Sequence, residues 1–236
     1  MYSKQYSPHP KFQKFHQLQY LVAFLFLMPL ILTLPKGTIS IAVNSSYNIF
    51  SDLFFKYITN LGHGVVFGVA VLILLFYKYS YSLIMLLAGL MHGLIVHYCK
   101  NYVFSEMARP TAFFSNPDVL HFVDGVAVHA TRSFPSGHTA TAFAFAFLLP
   151  MMLPKKRLSF ILFTFAVLTA YSRIYLLQHF FIDTYFGALI GIGTSWAIWQ
   201  FFEKTPAIKN SRALNSSLTK DFDLDKKLPI LFWKNQ

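Results

Sequence analysis

Charged side chains are scarce in this sequence: Asp, Glu, Lys and Arg together make up 12% of its 236 residues, whereas apolar residues make up 55%. A soluble globular domain usually carries about 25% charged residues, so the composition excludes an ordinary soluble protein. Cysteine is almost absent as well. The single Cys99 excludes an internal disulfide and says nothing about the redox compartment.

Acidic residues are the scarcest charged class, with nine Asp and Glu against 20 Lys and Arg, and the net charge is +11. A strongly basic balance sometimes indicates nucleic-acid binding. Here the basic residues flank apolar stretches instead of lining one soluble face, which is typical of contact with anionic lipid headgroups. We therefore expect a lipid bilayer, and no nucleic acid, among the partners.

Apolar residues are concentrated in six blocks, each about long enough to cross a bilayer core, which takes roughly 17 to 25 helical residues. The blocks cover residues 18–34, 61–76, 81–97, 138–153, 158–176 and 182–202. No small-residue cleavage site follows the first block, which predicts an uncleaved anchor. The sequence thus predicts an all-α integral membrane protein with about six transmembrane helices in a bundle, and five spans as the alternative.

Basic residues also orient the predicted bundle. If the N-terminus is cytoplasmic, most of the 20 Lys and Arg residues fall on the cytoplasmic side, in agreement with the positive-inside rule. Both termini are then cytoplasmic, and the long loop at 99–136 faces the periplasm or exterior. The predicted organisation is a cytoplasmic leader at 1–17, a six-helix transmembrane domain at 18–203 and a basic cytoplasmic tail at 204–236.

Three polar residues near the end of the chain form the pattern R-x5-H-x3-D: Arg173, His179 and Asp183. His179 and Asp183 are four residues apart, so we expect them on one face of a helix, with the carboxylate within reach of the imidazole. A carboxylate that accepts from one ring nitrogen leaves the other nitrogen free as a nucleophile. Arg173 adds a planar guanidinium that matches phosphate oxygens.

A second histidine, His138, follows Pro135-Ser136-Gly137 at what we predict to be a helix start. Free backbone N–H groups at a helix N-terminus bind anions. Two histidines, a carboxylate and guanidinium groups together predict a phosphoryl-transfer site. The histidines outside these patterns are assigned to packing, the commoner role near a membrane interface: His63, His92, His97, His121 and His129.

The chain resembles the type 2 phosphatidic acid phosphatase (PAP2) family in three stretches, which match that family's tripartite motif. They are Arg109-Pro110, Pro135-Ser136-Gly137-His138 and Ser172-Arg173…His179…Asp183. One position departs, because the family's lysine stands seven residues before the motif arginine, where this chain has Tyr102. Lys100, nine residues before Arg109, takes that role if the connecting loop has a two-residue insertion, since a lysine stem is long and flexible.

The resemblance implies a role for each matched residue. His179 is the nucleophile that forms a phosphohistidine, His138 is the general acid and base, and Asp183 orients His179. The other matched residues surround the phosphoryl oxygens: Lys100, Arg109, Ser136, Gly137 and Arg173. The family is metal-independent and shares its site design with vanadium haloperoxidases, so no metal or other cofactor is expected.

We expect a lipid phosphatase of the bacterial inner membrane, with its site at the periplasmic surface. The resemblance leaves the substrate open among phosphatidic acid, phosphatidylglycerol phosphate, undecaprenyl pyrophosphate and the lipid A phosphates. A lipid phosphotransferase that uses the same phosphohistidine would have identical motifs. The six apolar blocks argue against a haloperoxidase. The intact pair of His138 and His179 disfavours a non-catalytic phosphate or lipid transporter, because binding alone needs only the cations.

Two further expectations concern residues outside the motifs. Phe113-Phe114, between the first two motifs, is a candidate guide for an acyl or prenyl chain, although packing is the commoner role of such residues. Gly187, Gly191 and Gly193 in the last apolar block are expected to permit close helix packing.

Overall fold

The computed structural model describes residues 8–219, and all regular structure in this range is helical. The α-helices are α1 Pro10–Thr33, α2 Thr38–Asn44, α3 Ile49–Ile58, α4 Gly64–Leu74, α5 Tyr79–Tyr98, α6 Pro110–Phe113, α7 Gly137–Met152, α8 Lys156–Tyr175, α9 Phe181–Lys204 and α10 Pro206–Lys209. A π-helical turn at Cys99–Val103 continues α5, and 3₁₀ turns occupy Thr59–Gly62 and Pro117–Val119. The predicted leader and tail extend beyond the described residues at 1–7 and 220–236.

Each of the six apolar blocks coincides with a helix, so the all-helical class is confirmed. Within residues 8–219, four helices are long and apolar enough to cross a membrane: α1, α5 with its continuation, α8 and α9. A fifth span would consist of Ile49–Gly62 and Gly64–Leu74, which are bent by 50° at their junction. Helix α7 is apolar but has only 16 residues. The count of six spans therefore stays a prediction, whereas four to five candidate spans are observed.

Helix α7 lies at the centre of the bundle, in contact with α5, α8 and α9. Most of its side chains are buried, and many are alanines, which allow neighbouring helices to approach. A methyl group at Gly187 would overlap the carbonyl oxygen of Ser136, and one at Gly191 would overlap that of Ala140. The close-packing role is therefore confirmed for these two glycines. It is wrong for Gly193, where a methyl group would meet nothing within 4 Å.

A cluster of polar side chains holds the α2–α3 segment against the end of the bundle where α8 ends. Asp52 accepts hydrogen bonds from the Tyr175 hydroxyl at 2.6 Å and from His121 Nε2 at 2.9 Å. The Asn44 amide donates to the carbonyl oxygens of His121 and Tyr175. Tyr47 stacks on the His121 ring with 3.8 Å between centroids. These contacts hold the α2–α3 segment and the long loop together, and they give His121 the packing role expected for it.

Candidate active site

Five helix ends converge at one end of the bundle and carry the predicted site residues. Lys100 lies in the π-helical turn after α5, and Arg109 immediately precedes α6. Ser136 is the N-cap of α7, while Arg173 lies in the last turn of α8. Asp183 lies in the first turn of α9. The Ser136 N–H donates to the Asp183 carbonyl oxygen at 2.9 Å, which joins the starts of α7 and α9 directly.

His179 and Asp183 do not share a helix, contrary to the prediction. Helix α9 begins at Phe181, because the Asp183 carboxylate accepts the Phe180 N–H at 2.9 Å in a capping arrangement and so starts the helix after His179. Asp183 Oδ2 still lies 3.5 Å from His179 Nδ1, and both side chains are 2% exposed. The two groups are close enough for an ion pair, but His179 Nδ1 does not form a hydrogen bond with the carboxylate.

The turn between α8 and α9 fixes His179 relative to Arg173. Leu177 has a φ of 54°, a left-handed conformation usually taken by glycine after a helix. Its N–H donates to the Ile174 carbonyl oxygen at 3.0 Å, and the Gln178 N–H donates to that of Arg173 at 2.9 Å. This is the Schellman arrangement of a helix C-terminus. It reverses the chain within three residues, so that the His179 N–H also reaches the Arg173 carbonyl oxygen, at 3.1 Å.

Burial lowers the pKa of the His179 imidazole well below its ordinary value, and the positive charges of Lys100 and Arg173 lower it further. The ring is therefore neutral at pH 7 and carries a lone pair. Because Nδ1 faces Asp183, the nitrogen available to a reaction partner is Nε2.

Two buried guanidinium groups lie on either side of the Gln178 amide. Arg109 Nη1 donates to the Gln178 backbone oxygen at 2.8 Å and to its Oε1 at 3.2 Å. Arg173 donates from Nη2 to the same Oε1 at 3.4 Å and from Nη1 to Thr59 Oγ1 at 2.7 Å. Arg173 Nε is buried without a hydrogen-bond partner.

Lys100 joins this group in spite of its altered spacing. Its ammonium donates to the Arg132 carbonyl oxygen at 3.1 Å, as does Arg109 Nη2 at 3.4 Å. Its charge also interacts with those of Arg173 and Asp183. An irregular segment at 104–108 separates the π-helical turn of Lys100 from Arg109.

The three cations have no carboxylate within ion-pair distance among residues 8–219. Arg109 and Arg173 are less than 10% exposed. Buried charge is costly unless it is paired, so an unneutralised cluster of this kind is the expected form of an anion site. In the same range no three His, Cys, Asp or Glu side chains are grouped so that they could hold a metal ion.

His138 is held at the start of α7, beside these cations. Its electrostatic neighbours include Arg173, Lys100 and Arg109, and its ring lies 5.9 Å from that of His63. The backbone turn at Gly62 approaches its carbonyl oxygen so closely that a methyl group there would lie 2.5 Å away. All eight predicted site residues are thus brought to one place, with Ser136 and Gly137 adjoining His138 at the N-terminus of α7.

Three contributors were not anticipated from the sequence: Thr59, Ser133 and Gln178. Ser133 donates its hydroxyl to Asp183 Oδ2, and Gln178 and Thr59 accept from the arginines. Gln178 precedes His179 directly in the third motif, so its position in the sequence could have indicated that it belongs to the site. No sequence pattern connects Thr59 or Ser133 with the motifs.

The contact of Gly187 with α7 gives a sharp test of how the site is assembled. Gly187→Ala is expected to push α7 away from α9 and to lower both the thermal midpoint and the catalytic rate. Overpacking of this kind costs about 1–3 kcal/mol, more than the ~1 kcal/mol that alanine gains over glycine in a helix. Gly193→Ala is the matched control and should keep or raise the midpoint. Equal midpoints for the two variants would show that α7 and α9 have room to separate.

The chain is similar to a family of known proteins and, in its fold, to solved structures. The model of the PAP2 superfamily matches residues 77–206. Among solved structures, LpxE of Aquifex aeolicus is similar with a TM-score of 0.62 and 28% identity, over 70% of this chain and 94% of that one. A transmembrane PAP2-type phosphatidylglycerolphosphate phosphatase of Bacillus subtilis is similar with a TM-score of 0.60 and 25% identity, over 82% of this chain and 96% of that one. No curated protein sequence matches significantly.

Proposed function

Since the chain belongs to the PAP2 superfamily, we propose that it hydrolyses a membrane lipid phosphate through a phosphohistidine formed on His179. The observation that carries this proposal is the group of three cations, which have no carboxylate partner in the described part of the chain and surround a buried neutral histidine. Such a group is electrostatically complementary to a phosphoryl group and to the charge that develops on its oxygens during transfer.

In the first step, the lone pair on His179 Nε2 attacks phosphorus, and the bond from phosphorus to the lipid oxygen breaks. His138 donates a proton to the departing oxygen, so that the lipid leaves as an alcohol, or as a lipid monophosphate when the substrate is a pyrophosphate. The positive charge that develops on the His179 ring is stabilised by Asp183, 3.5 Å from Nδ1. General acid assistance of this kind contributes typically about 10²–10⁴-fold.

In the second step, water attacks the phosphohistidine, and the bond from Nε2 to phosphorus breaks. His138 takes the proton from that water, which restores its form before the next cycle. Phosphate leaves, and His179 returns to its neutral state. Lys100, Arg109 and Arg173 face the phosphoryl oxygens in both steps, and the N-terminus of α7 supplies backbone donors at Gly137.

The substrate belongs to the amphiphilic lipid phosphates, of which phosphatidic acid, phosphatidylglycerol phosphate, undecaprenyl pyrophosphate and lipid A phosphates are the four candidates. The solved relatives, a phosphatidylglycerolphosphate phosphatase among them, support this class. The distribution of basic residues supports a location in the bacterial inner membrane, with cytoplasmic termini and the site facing the periplasm. A phosphotransferase differs only in its acceptor, a second lipid in place of water.

Phosphate release by the detergent-purified protein tests the proposal. The four lipid phosphates are offered in parallel, with EDTA and without added metal, and with and without a second lipid as acceptor. We expect EDTA-resistant release of phosphate from at least one of them and inhibition by vanadate, which imitates the five-coordinate transition state. Phosphoryl transfer to the acceptor lipid without release would favour the phosphotransferase, and loss of activity in EDTA would refute metal independence.

Lys100 provides a second prediction, because its role rests on the altered spacing. Lys100→Ala is expected to lower kcat/KM about 10²–10³-fold, as Arg109→Ala does, since each removes one cation from the transition-state charge. Lys56→Ala is the control, because this ammonium donates to the Asp124 carbonyl oxygen outside the site. Wild-type kinetics in the Lys100 variant would remove that residue from the phosphate site.

A further inference from the structure

An open apolar groove of about 780 Å³ lies beside the cationic site, between the α3–α4 segment and helices α7 and α8. The buried side chains of Ala142, Ala166 and Thr169 form its floor, and exposed side chains such as Leu53 and Phe165 form its rim. Its volume falls within the range of ligand pockets, roughly 300–1,000 Å³. The groove is therefore large enough for a ligand, and its walls select an apolar one.

On α8 the groove lies directly below Arg173. Leu162, Ala166 and Thr169 line it at helical spacing, so they share one face of the helix. Arg173 follows Leu162 by eleven residues, close to three full turns, and therefore lies on the same face. Leu162 and Arg173 are roughly 16 Å apart along the helix axis. The groove therefore extends from near the level of the site well into the apolar part of the bundle.

On α7 the groove lies directly below His138. Ala142 and Phe145 line it, four and seven residues after His138, again on one helix face. Leu61 of the 3₁₀ turn Thr59–Gly62 lines the upper end of the groove. In that turn Thr59 accepts the hydrogen bond from Arg173, and the glycine packs on the His138 carbonyl oxygen. The groove thus ends at the elements that hold the two site residues in place.

We propose that this groove holds a hydrocarbon chain of the substrate while its phosphate group occupies the cationic site. The inference rests on the proposed function and extends it. A cationic site at one end of an apolar groove is complementary to an anionic head joined to an apolar chain. Lipid tails are as apolar as the groove walls, so entry from the bilayer releases little hydrophobic free energy. The groove therefore acts by aligning the phosphate with His138 and Arg173, which affects rate more than affinity.

Narrowing the groove tests the proposal. Leu162→Trp places a large ring in the groove. Ile161→Trp places the same ring at the neighbouring exposed position, outside the groove. Both variants are assayed on dioleoyl phosphatidic acid in mixed micelles and on dihexanoyl phosphatidic acid. Leu162→Trp should lower kcat/KM about tenfold on the long-chain lipid and leave the short-chain value unchanged. Ile161→Trp should change neither value.

Equal effects of Leu162→Trp on both lipids, or no effect on either, would overturn the groove assignment and leave the proposed function standing. If the native chain releases phosphate from neither lipid, the comparison is made on long- and short-chain forms of the other candidate lipids, and failure on all of them counts against the proposed function.

A binding measurement decides the groove independently of turnover. Phosphatidic acid with a diazirine on its chain is irradiated in phosphatidylcholine vesicles that contain the protein. We expect labelling of peptides of α7 and α8 that unlabelled phosphatidic acid suppresses, and weaker labelling in Leu162→Trp. Labelling that extra phosphatidylcholine suppresses equally well would show that bulk membrane lipid fills the groove, and the proposal would fail.

Discussion

His179→Ala is expected to abolish phosphate release, with a fall in kcat on the order of 10⁴-fold or more. The neutral ring is the only group proposed to form a bond to phosphorus. The measurement is release of phosphate from the preferred lipid, made beside the native chain under identical detergent conditions. Thermal midpoints of both proteins are recorded, because the His179 ring is buried and its removal leaves a cavity.

Trapping the phosphorylated enzyme separates this prediction from a merely structural role of His179. The native chain is mixed with a radiolabelled lipid phosphate, and the reaction is quenched rapidly without acid. We expect radiolabel on the protein that is stable to alkali and labile to acid, which is the behaviour of a phosphohistidine. His138→Ala should slow both steps, whereas His179→Ala should carry no label. Label retained in a folded His179→Ala protein would place the nucleophile elsewhere.

Asp183→Asn is expected to lower kcat about 10³–10⁴-fold with a smaller change in KM. The amide is nearly the same size as the carboxylate but carries no charge to stabilise the imidazolium-like product. Its oxygen can still accept the Phe180 N–H and the Ser133 hydroxyl, so the start of α9 is preserved. The measurement is steady-state kinetics on the preferred lipid, with the split between kcat and KM as the readout.

A second histidine–aspartate pair, His121 and Asp52, provides a control for the Asp183→Asn substitution. His121 Nε2 and Asp52 Oδ2 are 2.9 Å apart, closer than His179 and Asp183, yet this pair is partly exposed and lies in the polar cluster around Tyr175. Asp52→Asn should lower stability modestly and leave kcat within about twofold, since charge pairs of this exposure contribute little. A large fall in kcat from Asp52→Asn, or none from Asp183→Asn, would contradict the assigned roles.

Much of the fold was predictable because length and apolarity alone mark a helix that crosses a membrane. All six apolar blocks are helices for this reason. The number of spans was less accessible, since the second block is bent against α3 and the fourth is short and enclosed by protein. A hydropathy pattern records what a segment is made of, and not whether lipid or protein surrounds it.

The site was predictable as a set of residues and less so as a geometry. His179 was placed on a helix by its spacing from Asp183, although an acidic residue in a first turn is itself a helix-start signal. The left-handed turn at Leu177, which brings His179 back to Arg173, was not predictable either, because this position has no glycine to indicate it. The bond from Arg173 to Thr59 joins residues 114 positions apart, and no local pattern could have indicated it.

Helix α7 has 16 residues and is therefore about 24 Å long, less than the roughly 30 Å thickness of a bilayer's hydrocarbon core. Its neighbours cover it, so lipid does not need to match its length. When the protein moves between membranes of different thickness, we expect the largely exposed helix α1 to absorb the mismatch by tilting. The depth of His138 is set instead by the contacts of Gly187 and Gly191 with α7, and so it does not follow the thickness of the membrane.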